Sequence, residues 1–393
     1  MLMSANDAPA LAMSGMEALQ RGDARGARDT FERIVASGRA DAFSYVGLAY
    51  SCRQLRDSAA MVAALEKALA LEPRNTRALI LKADHLADQG DARAAASFYS
   101  FAVQTAPPTS QLPADLREDL ARAQARCQGL AGQFEAVLHD QLRRRGLTEG
   151  RSGARFRQSL DILLGKKKIY FQQPHTYFFP ELPQIQFYER EAFPWLDKVE
   201  AATDAIRAEL VEVLKDPSAF QPYIQGDSRR PRKEQDDMQD NPDWGAYYLW
   251  KDGELLREHA VRCPRTMDAL SDVPLSRVKS RSPSVLFSLL RPGARIPPHS
   301  GLVNTRLICH LPLIVPPDCA FRVGNDIRVP VEGKAWAFDD TIEHEAWNRS
   351  NRTRVILLFE IWRPELSEEE RSLVCALFEA IDAYSGQKPV WSI

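Results

Sequence analysis

Apolar positions in the first hundred residues recur every 34 places: Phe31, Leu65 and Tyr99 share one column, Ile34, Ala68 and Ala102 a second, and Val35, Leu69 and Val103 a third. Ala49 pairs with Ala83 and Pro73 with Pro107 in the same register. A turn signal precedes each second helix, as Arg-Gly22-Asp, Leu-Arg56-Asp and Gln-Gly90-Asp. The pattern predicts stacked helix pairs over 15–107, about three repeats, with 113–145 continuing as a closing helix. One such pair cannot bury its own apolar face, so neighbours must stack. From about residue 167 the texture changes. Aromatics and prolines crowd together (YFQQPHTYFFPELPQIQFYEREAFPW), and AATDAIRAELVEVLKD predicts a helix. Short β-like runs follow: WGAYYLW, PSVLFSLL, TRLICHLPLIV, AFRVG, KAWAFDD and RVILLFEIW, separated by Pro, Gly, Asn and Asp. Many short strands with no alternating helices predict a sandwich or barrel. The chain therefore divides into an all-α repeat over 1–145, a linker or surface loop over 146–166, and a mainly-β domain with flanking helices over 167–393.

At 393 residues the chain has room for two domains. A formal net charge of −2 offers no strong pull toward nucleic acid or an anionic membrane. The six cysteines, Cys52, Cys127, Cys263, Cys309, Cys319 and Cys375, are scattered and include no C-x-x-C pair. This argues against a disulfide framework or a structural zinc site, and suits a reducing compartment. The N-terminus does not read as a signal peptide and no run approaches a transmembrane length, so a cytoplasmic location is expected. A basic cluster, Arg229-Arg-Pro-Arg-Lys233, sits beside an acidic EQDD and reads as a solvated loop; contact with an acidic substrate is the alternative.

The chemistry gathers between residues 288 and 354. Three of the seven histidines, His299, His310 and His344, lie there, and Arg354 follows ten residues after His344. Period-2 alternation puts Arg306, Ile308 and His310 on one strand face, and Arg354 and Ile356 on another. His299 follows Pro297-Pro298, a stiff backbone that could aim it. A lone strand histidine is usually a satisfied core residue. Two imidazoles meeting across a barrel, with a guanidinium nearby, suit Fe(II) and a dicarboxylate instead. Imidazole is a good borderline ligand, oxygen chemistry needs open coordination positions, and arginine offers a fixed fork to a carboxylate. A double-stranded β-helix of the jelly-roll or cupin type is the natural host.

Two resemblances follow from these residues. The 34-residue period, with small residues at helix contacts and a proline at the repeat end, resembles the tetratricopeptide repeat. The segment from Tyr170 to Leu366 resembles the aspartyl/asparaginyl β-hydroxylase family. The matching pieces include Phe-Phe-Pro-Glu-Leu-Pro at 178–183, Trp244-Gly-Ala-Tyr-Tyr-Leu-Trp, Cys263-Pro-Arg-Thr, and Ser288-Leu-Leu-Arg-Pro-Gly. Further along come Pro-His299-Ser-Gly, Asn304-Thr-Arg-Leu-Ile-Cys-His310, Trp336-x-Phe-Asp-Asp, His344-Glu-x-Trp and Trp362-x-Pro-Glu-Leu. The resemblance implies a dioxygenase that uses Fe(II), 2-oxoglutarate and O2, and leaves succinate and CO2. By it, His299 and His344 are the iron ligands. Ser288 and Arg354 hold the distal carboxylate of 2-oxoglutarate, and His310 bonds the carboxylate beside the metal. The usual carboxylate ligand two residues after the first histidine is absent, since Gly301 stands there. Asp339 and Asp340 then support the site from behind or reach the metal's water, and Trp244 lines it. Animal members carry an arginine where this chain has Ile308, so Arg306 is the candidate replacement. They also carry a disulfide that Cys263 has no upstream partner to form, which puts their epidermal-growth-factor-like substrate in doubt.

The expected reaction is hydroxylation of an unactivated C–H bond, most simply Cβ of an Asp or Asn residue in a peptide or protein. Free amino acids and lipids are further substrates to weigh. The repeat array reads equally as a surface for a protein partner or as a spacer. Two other classes stay open: a cupin-type metalloenzyme that is not an oxygenase, and an interaction scaffold with a decayed oxygenase domain.

Overall fold

A computed structural model describes residues 7–147, 151–216, 218–226 and 239–385. They form two compact units, 1–164 and 165–393. The cluster Arg229–Lys233 lies outside the described residues.

The first unit is all helix. Three pairs, α1 (Asp7–Gln20) with α2 (Ala24–Ala36), α3 (Ala42–Gln54) with α4 (Ser58–Leu71), and α5 (Thr76–Asp88) with α6 (Ala92–Thr105), are closed by α7 (Ala114–Arg144). The second helices start at 24, 58 and 92, so the sequence period of 34 is the structural one. Each begins after an aspartate, Asp23, Asp57 or Asp91, whose side chain accepts from the N–H three residues on, at 2.9 to 3.0 Å. Such a cap stabilises a helix by about 1 kcal/mol. The residue before each cap has a left-handed backbone: Gly22 (φ 82°), Arg56 (φ 59°) and Gly90 (φ 81°). Two columns, Phe31/Leu65/Tyr99 and Ile34/Ala68/Ala102, are fully buried, and the third, Val35/Leu69/Val103, is half-buried. Gly47 lets Phe31 in, since a Cβ there would stand 2.1 Å from the ring.

The expected linker over 146–166 is corrected by the structure, which places helix α8 (Arg151–Leu163) within it. Phe156, Leu160, Leu163 and Leu164 supply apolar residues at helical spacing, and Gly165 (φ 71°) ends the run in the left-handed conformation a helix C-terminus favours. The basic and glycine-rich opening hid this helix.

The second unit is a two-sheet sandwich whose strand ladders are all antiparallel. Its elements in chain order are α9 (Leu196–Ala201), α10 (Thr203–Leu214), β1 (Gln221–Pro222), β2 (Trp244–Lys251), β3 (Glu254–Leu255), α11 (Arg257–Ala260), α12 (Pro264–Ala269), β4 (Val285–Leu290), β5 (Arg295–His299), β6 (Arg306–Ile314), β7 (Cys319–Val323), β8 (Asp326–Arg328), β9 (Trp336–Phe338), β10 (His344–Asn348), β11 (Arg354–Trp362) and α13 (Glu368–Ser385). The larger sheet runs β1-β2-β4-β11-β6-β9 with β3 beside β2, and the smaller β5-β10-β7-β8. This is the jelly-roll arrangement expected from the short strands. All six expected strand runs are present. The segment Arg295–His299, expected as a stiff approach to a strand, is itself an edge strand of the smaller sheet. Pro297 and Pro298 are tolerated there because an edge leaves one side free of ladder donors.

The larger sheet is covered on both faces. Its outer face packs Tyr247, Phe287, Leu311, Val355, Leu357 and Phe359 against Leu196, Val199, Ile206 and Leu210 of α9 and α10. Its inner face joins the smaller sheet around Trp244, Leu286, Ile308, Phe321, Phe338 and Ile356. Every residue of β11 is consequently buried, which explains why RVILLFEIW reads as a continuous apolar run.

Candidate active site

The inner faces of the two sheets do not close completely. They leave a cavity of about 430 Å³, within the range of small-molecule sites. His299, His310, His344, Arg306, Ser288, Trp244, Asp340 and Arg354 all line it. Asp339, expected beside Asp340, does not.

His299 on β5 and His344 on β10 are direct cross-strand partners, with ring centroids 4.1 Å apart. Each ring is oriented from behind by a backbone carbonyl. Nδ1 of His299 lies 2.8 Å from Pro297 O, and Nδ1 of His344 lies 3.1 Å from Ile342 O. Nδ1–H then donates, and Nε2 is left as the lone-pair nitrogen of a neutral imidazole, the form a metal binds. Burial supports this by pushing both imidazoles below their ordinary range, His344 strongly. Among the described residues no group of three or more His, Cys, Asp or Glu side chains could hold a metal ion, so none of them joins the pair as a third ligand. The position two residues after His299 shows why. A Cβ on Gly301 would stand 2.0 Å from Oδ2 of Asp340. Asp340 already fills the space a carboxylate at 301 would need.

Arg354 carries the strongest electrostatic signal. It is 2% exposed, and its Nε and Nη2 have no hydrogen-bond partner. Burial pulls its pKa down to about 10. A buried guanidinium without a carboxylate is costly unless an anion completes it. On β4, Ser288 and Leu290 pair with Ile356 and Arg354 of β11, which sets the hydroxyl two residues along the same face. Ser288 Oγ accepts from Trp244 Nε1 at 3.1 Å. His310 is buried in a ring of aromatics, 4.9 Å from Phe321 and 4.8 Å from Phe338 between ring centroids, and its Nδ1 has no partner. Burial pushes its pKa well below the usual imidazole value.

Arg306 faces the cavity as the strand period requires, but its charge is answered. Nη1 donates to Glu360 Oε1, and Nη2 lies 3.3 Å from Asp340 Oδ2. Burial raises Asp340 to about 7 against the pull of Arg306, and raises Glu360 as well.

Asp339 has a different task. Oδ2 accepts from Arg363 Nη1 at 2.9 Å and from Gln172 Nε2 at 2.7 Å, and Oδ1 from Thr341 N and Oγ1. Gln172 accepts in turn from Asn304, and Gly301 N donates to Asp340 O at 2.7 Å. The turn ahead of His344 and the loop after His299 are thus tied together by one buried network. Sequence reasoning missed Glu360, Arg363, Gln172 and Tyr223. Glu360 had a signal: a carboxylate in the apolar run of β11, even-spaced from Arg354 and so on its face. Tyr223, which stacks on Trp244 at 4.0 Å, had none.

The fold and site together define a double-stranded β-helix with a buried two-histidine centre. Residues 200–364 match the family described as aspartyl/asparaginyl β-hydroxylase. The chain is similar to the human aspartyl/asparaginyl β-hydroxylase, at 31% identity over 37% of this chain and 19% of that protein. It is similar to an ornithine lipid ester-linked acyl 2-hydroxylase of Rhizobium tropici, at 35% identity over 45% of this chain and 60% of that one. It is also similar to aspartate β-hydroxylase domain-containing protein 2 of Xenopus tropicalis, at 26% identity over 53% and 55%. The matches thus span between about a fifth and three fifths of these relatives. All six cysteines are free, and among the described residues no helix is long and apolar enough to cross a membrane.

Proposed function

We propose that the chain is an Fe(II)- and 2-oxoglutarate-dependent dioxygenase that hydroxylates an unactivated C–H bond, with Cβ of an Asp or Asn residue in a peptide or protein as the favoured position. The observation that carries this reading is the unpartnered Arg354 in the same cavity as the His299–His344 pair. A dicarboxylate that reaches both would neutralise the guanidinium and use the open metal positions. His299 and His344 would hold iron through Nε2. Arg354 and Ser288 would take the distal carboxylate, and His310 the carboxylate nearer the metal. Iron with 2-oxoglutarate supplies oxidative decarboxylation coupled to hydroxylation, with succinate and CO2 as coproducts. The chain's residues bind, orient and keep the cavity dry. Arg306, held by two carboxylates, serves the wall of the substrate end rather than the cosubstrate. The repeat unit would hold a protein substrate by remote contacts, and its loss should hurt a long substrate more than a short peptide.

Anaerobic loading with Fe(II) and 2-oxoglutarate tests the reading. Stoichiometric uptake of both, followed by O2-dependent succinate release with a peptide library, is the expected result. Uptake of iron without 2-oxoglutarate would favour a cupin of another chemistry, and uptake of neither would favour a scaffold.

A second reading concerns the substrate. One relative is named for acyl 2-hydroxylation, and Ile308 with Ile356, Leu358 and Leu302 gives the cavity an apolar wall. A lipid acyl chain is therefore the competitor that any substrate screen must include.

A further inference from the structure

The wall around Arg306 has its own charge pattern. Three cations line the cavity among the described residues: Arg354, Arg306 and Lys251. Arg354 is reserved for the cosubstrate under the reading above, on which this inference rests. Lys251 is half-exposed, donates to Gln225 at 3.3 Å and lies 5.0 Å over the Tyr248 ring, with Asp252 next to it on the lining. Arg306 is enclosed by Glu360 and Asp340, both nearly fully buried. Both carboxylates reach its guanidinium, so Arg306 is not a spare cation. Ile308, on the same strand face, contributes no charge.

We infer that this wall selects an uncharged carboxamide, the side chain of an asparaginyl rather than an aspartyl residue, through Arg306, Asp340 and Glu360. A carboxylate placed there meets two buried carboxylates that already share the one guanidinium. A carboxamide offers what the wall lacks: its N–H2 donates to a carboxylate and its oxygen accepts from the guanidinium. An ester has the acceptor but no donor, so it would leave Asp340 Oδ1 without a partner. A site built for hydrogen bonds rejects an analogue that cannot make them more strongly than an apolar pocket rejects a misfit.

The test uses the full chain loaded with Mn(II) and 2-oxoglutarate, whose uptake is measured first. Failure to load would overturn the reading above and this inference with it. The loaded protein is then offered a degenerate peptide library whose central residue is Asn or Asp, together with an ester-linked acyl amphiphile. Asn-centred members should be retained at least about tenfold better than Asp-centred ones, the effect of one poorly screened like charge. Equal or better retention of Asp, no preference for the central residue, or preferential capture of the amphiphile would overturn the assignment. Glu360→Gln removes one wall charge and should narrow the Asn-to-Asp ratio by roughly tenfold; an unchanged ratio in a folded variant counts against it. Ile308→Arg adds a free cation to the same face and should shift retention toward Asp, so the charge argument stands or falls even if Glu360→Gln fails to fold.

Discussion

The two units treat buried charge in opposite ways. In the helical unit Asp84 is 4% exposed, and Arg122, Arg53 and Arg126 approach it at 2.8, 3.6 and 3.8 Å. Tyr99 donates to it as well. Oδ1 of this buried anion is answered by hydrogen bonds, and Arg53 stands at ion-pair distance from Oδ2. In the β unit Arg354 is as deeply buried and has two nitrogens with none, while Asp340 Oδ1, Arg306 Nε and His310 Nδ1 are also unmatched. A folded chain tolerates such groups where a ligand completes them. The comparison teaches that the array's buried polar groups serve its own packing, whereas those lining the sandwich's cavity are held open for something else.

The largest effect that would break this contrast is at the histidine pair. Replacing either His299 or His344 with alanine should abolish stoichiometric Fe(II) binding and activity, while circular dichroism shows an intact fold. Full activity of His344→Ala would remove the basis of the assignment.

Next is Arg354. Truncating one member of a buried carboxylate–guanidinium pair costs on the order of 2–5 kcal/mol, so Arg354→Ala should raise the 2-oxoglutarate requirement by more than tenfold. Arg354→Lys should recover only part of it. Arg354→Met sharpens the point from the other side. With no ligand present it should melt higher than the parent, by about 1 kcal/mol, because it removes an uncompensated buried charge. A lower melt would mean that Arg354 has a partner after all.

Arg363 is the counter-example inside the β unit, a buried cation whose carboxylate is in place. Arg363→Met should destabilise by about 3–5 kcal/mol in urea titrations because Asp339 is left alone. A loss well below that range would show that Asp339 is answered elsewhere.

The fourth test is a pH profile. Burial raises Asp340 from 3.8 to about 7, so the folded protein holds a proton there that the unfolded chain has released. Folding is then favoured at low pH, and that contribution declines as pH rises from about 4 through 7. Asp340→Asn, which cannot ionise, should lack this decline. The parent should lose stability relative to the variant across that window, and a flat difference would contradict the shift.

The smallest effect lies in the array. Arg56 adopts the left-handed backbone that Gly22 and Gly90 adopt at the equivalent turns. Arg56→Gly should raise stability by about 1 kcal/mol, read from a thermal melt of the intact chain.

Much of this was legible in the sequence because the relevant order is periodic or local. The period of 34 fixed the helix starts through Asp23, Asp57 and Asp91, and two-residue alternation placed Arg306, Ile308 and His310 on one face. What was not legible depends on long-range partners. Arg306 looked like a free cosubstrate arginine because Glu360 stands 54 residues away. Asp339 and Asp340 are neighbours in sequence, yet one lines the cavity and the other answers Arg363 and Gln172, the latter 167 residues off. Gly301 looked like a missing ligand, and only the fold shows Asp340 in its space.

The double burial of β11 has a bearing on how this chain can change over generations. Arg354, Ile356, Leu358 and Glu360 face the cavity, while Val355, Leu357, Phe359 and Ile361 face the helices. A one-residue insertion or deletion would exchange the two sets at once, driving a guanidinium and a carboxylate into an oily layer and emptying the cavity of its chemistry. Drift along this strand is therefore confined to point replacements of like size and kind. Novelty in what the protein acts on must arise elsewhere, in the loops and rim residues around the cavity mouth, where length is free to vary.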